Sequence, residues 1–449
     1  MKARIHNFGR VTTADVKLDG VTVITGSNGS GKSTISRVLM TWISYLHQID
    51  NRIAEERAKS IIEGISEILT AAELPALFVP PSVVSRQLRK LLSFEFWRNR
   101  EEVVKWVVGN LRGMGSWRMR DDGDTRLHNE VARLYESIFM AVDKVFNTAD
   151  EPYEFFVANT FFRRAFDGQV GTFFDFTAES FVALEMDGGA EREATFKAGK
   201  CSSMGNVHGN HVIPTFYIEP RHLIDSYVES DFSRSRLNRF PESRFSCGEE
   251  LEWKRILYTN PEMDLWSMQR AQRQDALNNE LDKIVATMHG QIEKDEREIR
   301  FRDSDNGGMI SIRNIASGVK SMAALIRGLR NGVIEPGSLL IIDEPETNLH
   351  PEWQVKFAEF LVLLNAKFDI RSLLNTHSPY FLKAIQVYSD LLDIGEKCCY
   401  YMMKPDGNAG RYFADDVSNE IEQVFAEMSR PYAKLIYGDR YDSQMEQPK

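Results

Sequence analysis

Cysteine is scarce in this chain, with four in 449 residues: Cys201, Cys247, Cys398 and Cys399. No Cys-x-x-Cys pair occurs, and neighbours such as Cys398 and Cys399 rarely bridge each other. A disulfide framework is excluded, and a reduced, cytoplasmic protein is expected. Long apolar runs are missing too. None approaches about 18 residues, the minimum for a membrane helix, and the first stretch of chain holds no signal-peptide core. No membrane partner is expected. Basic charge is in deficit, 55 Lys and Arg against 65 Asp and Glu, for a net charge of −10. That argues against a protein coated with nucleic acid over its whole surface, though not against a local basic patch. Internal repeats and low-complexity tracts are also lacking.

Apolar residues are present in plenty, at 43% of the chain. They can bury a large core in roughly two or three units. Residues 2–8 and 21–24 read as strands flanking a polar turn, and an apolar-striped helix follows from Thr34 to about His47. Residues 50–150 read as mostly helical, broken by Pro75, Pro80-Pro81 and the Gly109–Gly115 stretch. Ser180–Met186 alternates as a strand should, with Ala194–Ala198 as its partner. Cys201–His211 reads as a loop, Pro214–Ile218 as a buried strand and 226–250 as surface loop. Leu277, Leu281, Ile284, Val285, Met288 and Ile292 have helical spacing, so one long helix is expected over 265–298. Ile299–Ile312 reads as a hairpin around Asn306-Gly307-Gly308. Beyond it, strands and helices alternate to about residue 390. The nearly pure apolar strands there imply a parallel sheet covered on both faces. A strand at Tyr400–Met403 and a helix over Asn419–Leu435 follow.

Two stretches carry the chemistry. Gly26-Ser27-Asn28-Gly29-Ser30-Gly31-Lys32-Ser33 follows a strand and precedes the helix that opens at Thr34. Its glycines let backbone N–H groups turn inward and approach phosphate oxygens, and the helix adds its positive end. Lys32 is expected to reach the β- and γ-phosphates of ATP, and Ser33 to ligate Mg²⁺. Leu339–Ile342 is a buried strand that delivers Asp343 and Glu344 to its C-terminal tip, where ligands sit in open α/β sheets. Asp343 suits Mg²⁺, directly or through water. Glu344 points elsewhere and is set to orient or deprotonate the attacking water; the bland alternative is a solvated carboxylate. Ser317-Gly318 precedes a helix and reads either as an ordinary cap or as a second phosphate contact, offered to a nucleotide held by another subunit. His377 ends another apolar strand, as a γ-phosphate contact or as a structural histidine.

This order of motifs resembles the ABC-type ATPase heads, which include the SMC, RecF and OLD families. The run Asp343-Glu-Pro-Glu-Thr-Asn-Leu-His350-Pro351, with Asn7-Phe8-Gly9 and Asn375-Thr-His-Ser-Pro379, looks most like the OLD and RecF-like branch. The resemblance covers about residues 1–44 and 299–385, with weaker similarity over 214–223. It implies an α/β fold: a P-loop NTPase head with a parallel core sheet, helices on both faces, an antiparallel β lobe and a helical insertion. It also implies homodimers or larger homo-oligomers meeting head to tail, with Ser317 and Gly318 of one copy completing the ATP site of another. Asn348 and Leu349 would face that interface. Two features depart from the pattern. The signature reads Ala-Ser-Gly-Val-Lys, and the glutamine that couples magnesium to the arm is not obvious; Gln169 is either that residue or a surface glutamine.

The expected organisation is an N-terminal head segment (1–44), a helical insertion (45–151), the β lobe with a core strand (152–225), a loop and long helix (226–298), and the C-terminal head segment (299–449). The segment 86–120 interleaves Trp97, Trp106 and Trp117 with basic residues, either as a nucleic-acid surface or as packing within an arm. Cys201, His208 and His211 lack further ligands at convincing spacing for a metal. No Asp-x-Asp cluster follows His377, so the TOPRIM nuclease carried by OLD proteins is not expected. The pattern fits the ATPase subunits of anti-phage systems such as Septu and PARIS, where the nuclease or toxin is a separate chain. The rival is a RecF- or SMC-like protein whose ATP state clamps DNA in repair or recombination. A transporter ATPase fits neither the signature nor the spacing.

Overall fold

The computed structural model describes residues 1–71, 125–186, 191–205, 213–218, 281–282, 290–294, 299–303, 307–311, 314, 317–407 and 410–437. Trp97, Trp106, Trp117, the basic segment 86–120, His208, His211, Glu219, the loop 226–250 and most of the 265–298 helix lie outside them. The chain divides into two compact units, one built from Met1–His47 with Phe161–Lys449 and one from Gln48–Thr160.

The larger unit is organised by an eleven-stranded sheet. Its order is β6 (Lys200–Met204), β5 (Glu191–Lys197), β4 (Ser180–Glu185), β1 (Lys2–Phe8), β2 (Val11–Lys17), β14 (Tyr412–Asp416), β13 (Cys399–Pro405), β3 (Val21–Thr25), β12 (Arg371–Asn375), β11 (Leu339–Asp343) and β7 (Thr215–Ile218). From β13 to β7 every pairing is parallel. From β6 to β2 every pairing is antiparallel. The β13–β14 hairpin joins the two halves, because β14 runs parallel to β2. This is the α/β fold, a P-loop head with an antiparallel lobe, that the resemblance implies.

Strands β3, β7 and β11 are buried at every position, as strands covered on both faces must be. One face packs Val21, Val23, Leu340, Ile342 and Leu374 against α4 (Ser317–Arg330), α5 (Pro351–Phe368) and α6 (Pro379–Leu391). On the other face lie the first turns of α1 (Lys32–Ala71), tied there by Asn375, whose amide donates to the Ser36 hydroxyl at 2.8 Å. The lobe has an aromatic core of its own, in which Phe162 lies 4.3 Å from Phe196 and 6.0 Å from Phe8 between ring centroids. Trp42 stacks on Tyr45 and donates its indole N–H to the Arg192 carbonyl.

The described residues of the smaller unit are helical. It contains the later turns of α1, then α2 (Thr125–Asn147) and most of α3 (Glu151–Ala165). Ile53, Ile61, Ile65, Ile138 and Val142 are buried in it. Arg57 bridges to the Asp150 carboxylate at 2.5 Å and to the Thr148 carbonyl at 2.9 Å.

Several expectations change. Residues 11–17 are a full strand, although Thr and Asp gave them the look of a turn. The helix after the P-loop runs on to Ala71. Lys200–Met204 is a strand on β5 rather than loop. The helix expected over 265–298 does not reach its C-terminal limit: Gly290–Lys294 is β8, antiparallel to β9 (Ile299–Asp303), with Ile292 opposite Phe301. Gly290 is a poor helix former and opens β8, and Ile292 matched the helical spacing by coincidence. The hairpin of β9 and β10 (Met309–Ser311) forms as read. Among the described residues no helix is long and apolar enough to cross a membrane.

Candidate functional site

Parallel pairing decides where the motifs meet. Strands β3, β12 and β11 are adjacent and point the same way, so their C-terminal ends share one edge. In register, Ile24 faces Asn375 and Asn375 faces Asp343. The loop after β3, the tip of β11 and the turn after β12 therefore converge, although Lys32 and Asp343 are far apart in sequence.

The loop after β3 needs its glycines. Gly26, Gly29 and Gly31 have φ of 145°, 76° and 102°. A Cβ at Gly31 would lie 2.6 Å from the Val11 side chain, and one at Gly26 would lie 2.8 Å from Met403. Ser27, Asn28 and Ser33 are exposed, Thr34 is half-buried, and Ser30 is buried with a hydroxyl that has no hydrogen-bond partner among the described residues. Lys32 is buried and donates from Nζ to the Gly26 and Ser27 carbonyls, each at 3.0 Å. Burial lowers its pKa to about 8, against the opposing pull of Glu344, Asp343 and Glu346. Three carboxylates from the end of β11 thus act on one ammonium group.

Asp343 is buried and held from two sides. One oxygen accepts from the Tyr217 hydroxyl at 2.9 Å, and the other accepts from the Asn375 amide. Glu344 is exposed and sits at φ 48°, a left-handed conformation that an L-residue adopts only under constraint. Its N–H donates to the Asn375 carbonyl at 2.8 Å, and its carboxylate accepts from the Thr347 hydroxyl at 3.2 Å. The sharp turn separates the two acidic side chains, as their different expected roles require. Asn348 is likewise left-handed and exposed, whereas Leu349 is buried.

His377 is half-buried. Burial and the Lys32 charge lower its pKa, and Glu344 raises it. Its backbone N–H donates to Glu346 at 2.6 Å, and burial raises the pKa of that carboxyl group. Ser378 caps α6 by accepting from the Phe381 N–H. Ser317 and Gly318 open α4, and only their backbone is described.

Lys32, Asp343, Glu344 and His377 are thus brought together. Gln169 is exposed in a turn before β4, on the lobe, whereas the strand beside β11 is β7. A magnesium-coupling role at position 169 is not supported by that topology. Tyr217, Glu346 and Asn375 escaped sequence reasoning as site residues. Glu346 and Asn375 lie inside the quoted motif runs, but nothing in their spacing marks their contacts. Cys201 is buried on β6, and among the described residues no cluster of three or more His, Cys, Asp or Glu could hold a metal ion. A Mg²⁺ ion bound with ATP needs less. One carboxylate, one hydroxyl, water and phosphate oxygens suffice, and Asp343 with Ser33 fits that donor set. The bare glycine backbone and the neighbouring Lys32 fit a chain of phosphates.

Residues 217–383 match the family model described as "AAA domain, putative AbiEii toxin, Type IV TA system". A probable ATPase of retron Vc95 from Vibrio cholerae serotype O1 biovar El Tor is 32% identical over 90 residues. That match covers 18% of this chain and 17% of the curated relative's length. Among solved structures, the SMC head domain from Thermotoga maritima aligns with 93% of this chain and 98% of its own, at 12% identity and a TM-score of 0.37. An Smc head with an extended coiled coil, bound to the C-terminal domain of ScpA derived from Pyrococcus furiosus, aligns over 96% and 98%, at 12% identity and 0.37. The matched stretch holds Asp343, Glu344 and His377, and over it the chain is similar to an AAA domain.

Proposed function

We propose that this chain binds ATP with Mg²⁺ at the loop Gly26–Ser33 and hydrolyses it, and that two copies meeting head to tail share each nucleotide. In this reading Ser317 and Gly318 of the second copy close over the phosphates. The hydrolytic cycle controls a nuclease or toxin carried on another chain, in antiviral defence of the Septu or PARIS kind. The observation that carries the reading is the shared edge, where Lys32, Asp343, Glu344 and His377 converge from three adjacent parallel strands. The defence role draws on the relatives: a retron ATPase, and a family described by a toxin.

Each residue has a distinct task. Lys32 exchanges the Gly26 and Ser27 carbonyls for phosphate oxygens. Asp343, fixed by Tyr217 and Asn375, keeps one orientation towards the metal's coordination shell. Mg²⁺ held by Asp343 and Ser33 would supply charge neutralisation at the phosphates. Glu344 orients a water molecule and takes its proton. His377, its basicity lowered by burial and the Lys32 charge, exchanges hydrogen bonds with water or phosphate.

Glu344→Gln is expected to keep ATP affinity, slow turnover at least about 100-fold and accumulate an ATP-dependent dimer, read by calorimetry, phosphate release and light scattering. Lys32→Ala should lose ATP binding. Unchanged turnover in the first variant removes Glu344 as the catalytic carboxylate, and unchanged affinity in the second removes the phosphate role of Lys32. If Ser317→Arg leaves the ATP-dependent dimer intact, the head-to-tail arrangement is wrong.

A further inference from the structure

Three phenylalanines between Gly171 and Ala178 are exposed: Phe173 by 61%, Phe174 by 44% and Phe176 by 62%. Apolar rings held on a surface invite the question of what covers them. The segment is anchored. Gly9 N–H donates to the Gly171 carbonyl at 2.9 Å, and Phe173 N–H returns to the Gly9 carbonyl at 3.2 Å. Asp175 accepts from both the N–H and the hydroxyl of Thr177. Two of the rings lie against neighbours. Arg411 sits 5.0 Å from the centre of the Phe174 ring, and a Cβ at Gly199 would lie 3.3 Å from the Phe176 ring.

Phe173 too lies against a glycine, but that glycine belongs to the turn beside the phosphate loop. A Cβ at Gly9 would lie 3.5 Å from its ring and 3.3 Å from the Thr34 side chain. The bare backbone of Gly9 thus separates the phenyl ring from the residue that follows the P-loop motif. Arg10, next along the turn, donates to the Gly29 carbonyl at 3.4 Å. The ring therefore stands at the mouth of the phosphate loop.

Strand order gives a direction. The groups that act on the terminal phosphate, Asp343, Glu344 and His377, come from β11 and β12, on one side of β3. The turn between β1 and β2 belongs to the other side, beyond β13 and β14. A nucleotide whose last phosphate lies towards β12 extends its nucleoside towards Gly9 and Arg10. Resting on the ATP reading above, we infer that Phe173 is the stacking surface for the purine ring, and that Gly9, left-handed at φ 56°, lets the ring and Thr34 approach the turn closely. A base stacked on an aromatic ring gains affinity with little demand on hydrogen bonding.

Calorimetric titration of the full chain with Mg-ATP and with Mg-tripolyphosphate tests this. Phe173→Ala should raise the Kd for ATP about 10-fold and leave that for tripolyphosphate unchanged. Phe173→Trp should restore ATP affinity, and its fluorescence should be quenched by ATP but not by tripolyphosphate. Lys32→Ala should weaken both ligands. If Phe173→Ala leaves ATP affinity unchanged, or weakens both ligands equally, the stacking assignment falls while the ATP reading stands. A wild-type chain that binds neither ligand overturns both.

Discussion

In the parallel half of the sheet, β3, β7 and β11 are buried at every position; in the lobe, β2 and β5 alternate between buried and open residues. The first pattern leaves no polar face along the strand, so chemistry can appear only at its ends. Parallel direction gathers those ends on one edge, and Lys32, Asp343 and His377 follow from that. The second pattern exposes side chains all along the strand while reversing direction at each step, so its turns are shared between two edges. One half concentrates chemistry and the other supports it: the β1–β2 turn and Val11 lie against the phosphate loop.

The contrast breaks most sharply under the same substitution in each half. Leu374→Asp puts a carboxylate into a strand covered on both faces, with an expected loss above about 4 kcal/mol and little soluble protein. Thr13→Asp, on the open face of β2, should stay within about 0.5 kcal/mol in urea unfolding. Equal losses would refute the division.

A smaller effect depends on pH. Burial pushes the Cys399 thiol, on β13, from 9.0 up to about 11. The unfolded chain releases this proton first, so stability falls as pH rises from 9 to about 11, by at most about 3 kcal/mol. Cys399→Val should flatten that slope relative to wild type, and parallel slopes would remove the cause. A smaller loss than at Leu374 or Cys399 is expected at the ligand edge itself. Ser378→Ala removes the α6 cap and should cost about 1 kcal/mol in urea unfolding, with the Kd for ATP unchanged.

The legible parts of the sequence were those where one local rule suffices. Leu339–Ile342 reads as a covered strand because it is wholly apolar, and Gly26–Ser33 as a phosphate loop because its glycines have no other use. Strands β2, β6 and β14 were illegible because polar residues interrupt their apolar ones (Thr and Asp in β2, Ser in β6, Asp415-Asp416 in β14), and their strand character comes from pairing with neighbours. The hold on Asp343 was illegible for another reason. Tyr217 precedes it by 126 residues, and only the register of β7 on β11 brings them together. The left-handed turn at Glu344 has no sequence mark, since nothing in glutamate favours it.

Asn375 has a consequence as a measuring device. Its single side-chain nitrogen donates to Ser36 on the helix behind the phosphate loop and to Asp343 on the acidic strand. Two protons on one nitrogen give two NMR signals, each reporting one neighbour. If α1 shifts against β11 during turnover, one signal moves and the other stays, so a single amide registers which side of the cleft moved.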